Sequence, residues 1–191
     1  ASMAHIMGHA KLVKEAGYQK NMNAKQRKQA KGNHVIDLNG HDQWVEVYRS
    51  HELDIKTPAL TIMFDVYPRE LVSSCGSFVT KGSWQFGVQQ VGKEKLTFYI
   101  NTDKAPASAL PKIDMSEPWA AYRLAALTPK YYKYTLEAQL PADWELNWHH
   151  VVAQYDGAKM TLSIDGNLLG ELEASGNIIN APFPINIGRN E

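Results

Sequence analysis

The chain has 191 residues, enough to bury one sizeable core. Its hydrophobic fraction of 44% and charged fraction of 21% are those of an ordinary globular protein. Lys+Arg and Asp+Glu number 20 each, so no net field points to nucleic acid or a membrane surface; no apolar run is long enough for a membrane-spanning helix, and the lone Cys75 excludes an intrachain disulfide.

Ala1–His9 lacks the apolar centre of a signal peptide and reads partly as a cloning remnant, so no structure is expected of residues 1–9. Residues 10–32 form a basic arm. Lys11, Lys14, Lys20, Lys25, Arg27, Lys28 and Lys31 stand there against Glu15 alone. Gly17 and Asn21-Met22-Asn23 interrupt any helical stripe. A solvated linker or a lone surface helix is favoured over an anchor for an acidic partner, and Tyr18 alone makes no stacking surface for nucleic acid.

From Asn33 the pattern changes to short β runs separated by turn signals, which puts the folded domain at residues 33–191. His34–Leu38 is a strand, Asn39-Gly40 a turn, and Gln43–Tyr48 a second strand with Val45 and Val47 on one face. Leu60–Tyr67 places Leu60, Ile62, Phe64 and Val66 on one side and ends at Pro68, which cannot donate to a ladder. Ser77–Thr80, Trp84–Val91 and Leu96–Ile100 follow at regular spacing. Residues 103–130 break the rhythm with Pro106, Pro111, Pro118 and Pro129. Only Trp119–Leu127 is suited to a short helix there, and a connection of this length is usually functional or poorly ordered.

Tyr131–Leu140 restores the strand pattern. Trp148–Tyr155, Lys159–Ile164 and Leu168–Ala174 are then joined by Asp156-Gly157 and Asp165-Gly166, among the strongest short-range hairpin signals. Pro184–Ile187 is the last strand. Regularly spaced strands with no long periodic helix predict an all-β, two-sheet antiparallel β-sandwich with a basic N-terminal arm.

These segments, in order, resemble the concanavalin A-like, laminin-G-like jelly rolls. Val35–Val47 is similar to the opening strand-turn-strand motif, Thr80-Lys81-Gly82-Ser83 to the family's turn, Trp148–Gly166 to its most recognisable segment, and Asn186-Ile187-Gly188-Arg189 to its closing motif. The copies in bacterial family 2 glycoside hydrolases, the β-galactosidases, are the most similar in detail. The resemblance implies a non-catalytic accessory module of a periplasmic or extracellular hydrolase. Its partner would be a galactoside-type glycan or the parent's own catalytic domain, and its role either carbohydrate binding or structural docking and oligomerisation. The family usually adds a strand after the closing motif, so that strand is either missing or supplied by the N-terminal arm.

No catalytic residue is assigned. Glycoside hydrolysis needs two carboxyl groups at defined separation. Glu52-Leu53-Asp54 and Glu171-Leu172-Glu173 have i, i+2 spacing but lack the third acid that catalytic members of this superfold carry. His149 and His150, adjacent on a strand, face opposite ways and cannot grip one ion. No cofactor is required. Laminin-G-like domains sometimes hold calcium, for which Asp37, Asn39, Asp42 and Asp156 are candidates by type. The ligand-binding candidates are Trp84, Gln85, Trp119, Tyr122, Arg123, Tyr131 and Tyr132, because sugar rings stack their C–H faces on aromatic side chains while nearby polar groups bond the hydroxyls.

Overall fold

The structure, a computed structural model, describes residues 3–15, 24–29, 32–70 and 74–189. Strands are β1 (Ala4–Met7), β2 (Lys11–Lys14), β3 (His34–Asp37), β4 (Trp44–Val47), β5 (Leu60–Val66), β6 (Cys75–Lys81), β7 (Phe86–Val91), β8 (Lys95–Thr102), β9 (Tyr132–Gln139), β10 (His149–Tyr155), β11 (Lys159–Ile164), β12 (Asn167–Glu173) and β13 (Ile185–Ile187). The helices are α1 (Ala24–Gln29) and α2 (Ala120–Leu127). A seven-stranded sheet, β1-β4-β13-β6-β7-β8-β9, packs on a four-stranded sheet, β12-β11-β10-β5, and β2-β3 form a separate pair. All the pairings are antiparallel.

Strand alternation builds the core. Phe86, Val88, Leu96, Phe98, Ile100, Leu136 and Ala138 from the larger sheet meet Leu60, Ile62, Val151, Ala153, Tyr155, Met160, Leu162 and Ile164 from the smaller one. A register shift between Ser77 and Val79 sets two consecutive β6 residues, Phe78 and Val79, against this core. Phe78 contacts Phe64 at a ring separation of 5.3 Å and Trp144 at 6.0 Å. At the 165–166 turn both Asp165 (φ +53°) and Gly166 (φ +80°) are left-handed, as a two-residue hairpin turn with the twist of its strands requires. The other Asp-Gly pair sits in a longer loop, residues 156–158. There Asp156 Oδ1 accepts from the amides of Ala158 at 2.9 Å and Lys159 at 2.8 Å.

The N-terminal segment differs from expectation. Ala4–Met7, within the presumed remnant, is a strand that covers the free edge of β4, with Ala4 opposite Val47 and Met7 opposite Trp44. Backbone donors and acceptors on an open edge seek a partner whatever the side chains, so composition gave no warning of it. The arm is likewise structured in part. Lys11–Lys14 pairs with His34–Asp37, and Ala24–Gln29 is helical. Residues 16–23 and 30–31 lie outside the described residues.

Lys81, placed in a turn by the sequence, ends β6 fully buried. Its ammonium donates to Asn180 Oδ1 and the Ala181 carbonyl, both at 3.3 Å, and lies 3.6 Å from Asp54 Oδ1.

Two outcomes follow from this packing. Leu162→Ala, at a fully buried position, is expected to lower unfolding stability by about 2–5 kcal/mol with an unchanged denaturant slope. Removing residues 1–9 uncovers β4, so the truncated chain is expected to melt at lower temperature and to elute at higher apparent mass by size exclusion.

Candidate functional site

The strongest of the proposed ligand positions is a corner at one end of the larger sheet. Trp84 lies in the turn between β6 and β7 and is 55% exposed; Tyr131, just before β9, is 47% exposed. Their rings meet edge to face, with centroids 6.1 Å apart and planes at 90°.

The turn beneath Trp84 is held from behind. Tyr99 Oη donates to the Gly82 carbonyl at 3.1 Å, Asn101 Nδ2 to the Ser83 carbonyl at 3.4 Å, and the Asn101 amide to the Gln85 carbonyl at 2.8 Å. Gln85 is itself fully buried. Its Nε2 donates to the Ile55 carbonyl and its Oε1 accepts from the Ala181 amide, both at 3.1 Å. Gln85 was proposed as a ligand contact; with both amide atoms engaged it is an anchor. Gly87 is part of the same arrangement, since an added Cβ would lie 2.6 Å from the Tyr99 hydroxyl lying across it. Burial pushes the Tyr99 phenol well above its ordinary value, so it stays a donor.

The insertion supplies the other aromatics. Trp119 is 80% exposed and Tyr122 72%. Trp119 precedes α2 with φ +67°, a conformation a non-glycine residue adopts at a cost and that recurs at ligand clamps. Neither ring stacks with Trp84 or Tyr131 among the described residues. Arg123 pairs with Glu117 at 3.1 Å on the surface. Tyr132 turns away from this surface, packing on Tyr134 at 5.0 Å and against the core. A shallow hollow of about 570 Å³, lined by Leu110, Ile113, Met115 and Leu124 among others, completes the insertion's apolar side.

A second concavity was not anticipated. A cleft of about 460 Å³ opens between the β2–β3 pair and one end of the smaller sheet. Glu15, Asn33 and His34 line one side, and Asp65, Trp148 and His150 the other. The histidine doublet splits across the strand as alternation requires. His149 is buried, stacked on Trp144 at 4.9 Å, with Nδ1 2.7 Å from Asp165 Oδ2 and Nε2 donating to the Asp143 carbonyl at 3.1 Å. His150 faces outward, with Nδ1 2.7 Å from Asp65 Oδ1. Burial opposes ionisation of Asp165, but the His150 amide and the His149 ring outweigh it and lower its pKa. The cleft was illegible because its walls lie far apart in sequence and one belongs to the arm.

Two of the carboxylates considered for catalysis, Asp54 and Glu171, are committed elsewhere. Asp54 receives a two-pronged bond from Arg49, Nε to Oδ1 at 3.0 Å and Nη2 to Oδ2 at 2.9 Å. That hydrogen bond outweighs burial and, with the charges of Arg49 and Lys81, lowers the Asp54 pKa to about 2, too acidic to donate a proton near neutrality. Glu171 pairs with Lys159 at 3.1 Å.

Each of the calcium candidates is engaged in local contacts. Asp37 pairs with Arg69. Asn39 Nδ2 donates to Asp42 Oδ1 at 2.7 Å, and Asn39 Oδ1 accepts the amides of His41 and Asp42, which ties both side chains into one turn. Asp156 caps the loop at the far end of β10. Among the described residues no three His, Cys, Asp or Glu side chains are grouped to hold a metal.

No protein-family profile matches the chain, and no curated protein does. Solved structures do. The binding domain of botulinum neurotoxin serotype D/C superposes with a TM-score of 0.59 at 12% identity, covering 100% of this chain and 39% of that one. The serotype C1 binding domain gives 0.58 at 12%, covering 100% and 38%. Domains LG4-5 of mouse laminin α1 match at 0.42 and 16% identity, over 72% of this chain and 30% of that one. The chain spans about two-fifths of the length of the neurotoxin domains it matches. At these identities the likeness establishes fold alone: the two-sheet antiparallel β-sandwich that the neurotoxin binding domains share. No helix among the described residues is long and apolar enough to cross a membrane.

The Asp54 cluster gives a pH signature. A folded pKa of about 2, below the ordinary carboxylate value near 3.9, contributes stability that is fully present above about pH 4 and lost as pH falls toward 2. Asp54→Asn is expected to lower stability at neutral pH, because Lys81 loses its carboxylate partner, and to flatten the acid limb of stability measured by urea unfolding across that range.

Proposed function

We propose that this chain is a non-catalytic carbohydrate-binding module that presents Trp84 and Tyr131 as a stacking platform. One observation carries the reading: an exposed indole sits on a turn whose carbonyls are bonded by Tyr99 and Asn101 and whose next residue, Gln85, is clamped at both amide atoms. A surface tryptophan serving only as cover needs no such fixation. A platform does, because an indole carried on a fixed backbone loses less entropy when a sugar ring stacks on it. The neurotoxin DC binding domain, which shares the fold, has been solved in complex with SialylT, which is compatible with this class of ligand. The ordered motifs support a parent of the β-galactosidase type, working outside the cytoplasm on a galactoside-containing glycan.

A second reading has its own observation. Trp119, Tyr122, Met115 and Leu127 are all exposed on the insertion, which suits docking against a catalytic domain of the same parent.

Calorimetric titration with lactose and galactan oligosaccharides distinguishes the two readings. The platform predicts saturable binding that Trp84→Ala weakens by about 2 kcal/mol, roughly thirtyfold, with unchanged circular dichroism. Trp119→Ala is expected to have a much smaller effect. Silence of the wild-type chain across galactosides and glucans overturns the sugar reading and leaves docking.

A further inference from the structure

We infer that the cleft between the β2–β3 pair and the smaller sheet is a second binding site, for a neutral polyhydroxylated group of the size of a hexose ring. This takes the same ligand class as the function proposed above but stands on a separate observation. Its volume of about 460 Å³ lies within the range of small-molecule clefts. Two independent segments build it. The Glu15 amide donates to the Asn33 carbonyl at 3.1 Å, which fixes one wall, and the paired strands β5 and β10 form the other.

The hydrogen-bonding inventory selects the ligand. His150 Nδ1 faces a carboxylate oxygen and carries a proton there, which leaves Nε2 of the exposed ring as a further polar contact. Asp65 adds a second carboxylate oxygen, and both side chains meet solvent. Glu15 is an acceptor, while Asn33 and His34 can each donate and accept. Trp148 adds an apolar wall.

An anion would be repelled by Glu15, Asp65 and Asp165. An organic cation donates only, so the donor groups of Asn33 and His34 would take no part in its recognition. A hydroxyl does both, and vicinal ring hydroxyls present donors and acceptors side by side against a flat wall. This is the chemistry of a neutral sugar, and it needs no metal.

The cleft and the platform are separate. β10 runs from His149 at the cleft to Tyr155, opposite Leu60, a span of six steps or about 20 Å. Gln85, beneath Trp84, bonds to Ile55 on the chain leading into that far end.

The test is a two-dimensional NMR titration of the ¹⁵N-labelled full chain with methyl β-D-galactopyranoside, methyl β-D-glucopyranoside and, as the cationic control, lysine amide. The five tryptophans give five indole signals. Trp84→Phe and Trp148→Phe assign the two that matter, and the His150 ring reports alongside. Saturable shifts of Trp148 and His150 with a neutral glycoside are expected, weakened roughly tenfold or more in Asp65→Asn, whose retained indole dispersion shows that it folds. A moving Trp84 with a still Trp148 and His150 overturns the cleft and keeps the platform. A moving Trp148 with a still Trp84 does the reverse. Shifts in the cleft with lysine amide alone overturn the neutral-ligand assignment.

Discussion

Strand β8 is the constraint on which the rest depends. Leu96, Phe98 and Ile100 point inward and are fully buried, so the register of β8 between β7 and β9 is fixed by the core. Shifting that register by one residue would exchange the two faces of the strand. The outward residues are therefore placed as accurately as the core. Tyr99 and Asn101 are the two that reach the turn carrying Trp84. Packing energy on one face of the strand becomes positional accuracy on the other.

The sandwich was legible because its signals are local. Alternation in Leu60–Val66 and Met160–Ile164 and the Asp-Gly turns each occupy a few consecutive residues, and each element lies within a residue or two of its expected place. Elements specified by tertiary context were not legible. Ala4–Met7 has no strand pattern of its own, and the open edge of β4 makes it one. The burial of Lys81 depends on Asp54, Asn180 and Ala181, all distant in sequence.

The candidate surfaces were legible in part. Trp84 and Tyr131 were both singled out as aromatics near turns, and the fold brings their rings together. Gln85 and Tyr132 shared that neighbourhood but point elsewhere, because adjacent residues in extended chain face opposite sides. The histidine doublet shows the same rule more sharply. Alternation places the two rings on opposite faces, yet it does not disclose that His150 would meet Asp65 on a neighbouring strand with the arm standing opposite.

The anchoring of the 82–85 turn separates two properties that usually vary together. The hydrogen bonds described above for the turn come from Tyr99, Asn101 and Gln85, and none uses the Trp84 side chain. Position 84 is therefore a socket. Its occupant can be exchanged for another flat or polar group without disturbing the frame, so the chemistry presented at this corner can drift in evolution or be redesigned at little cost in folding.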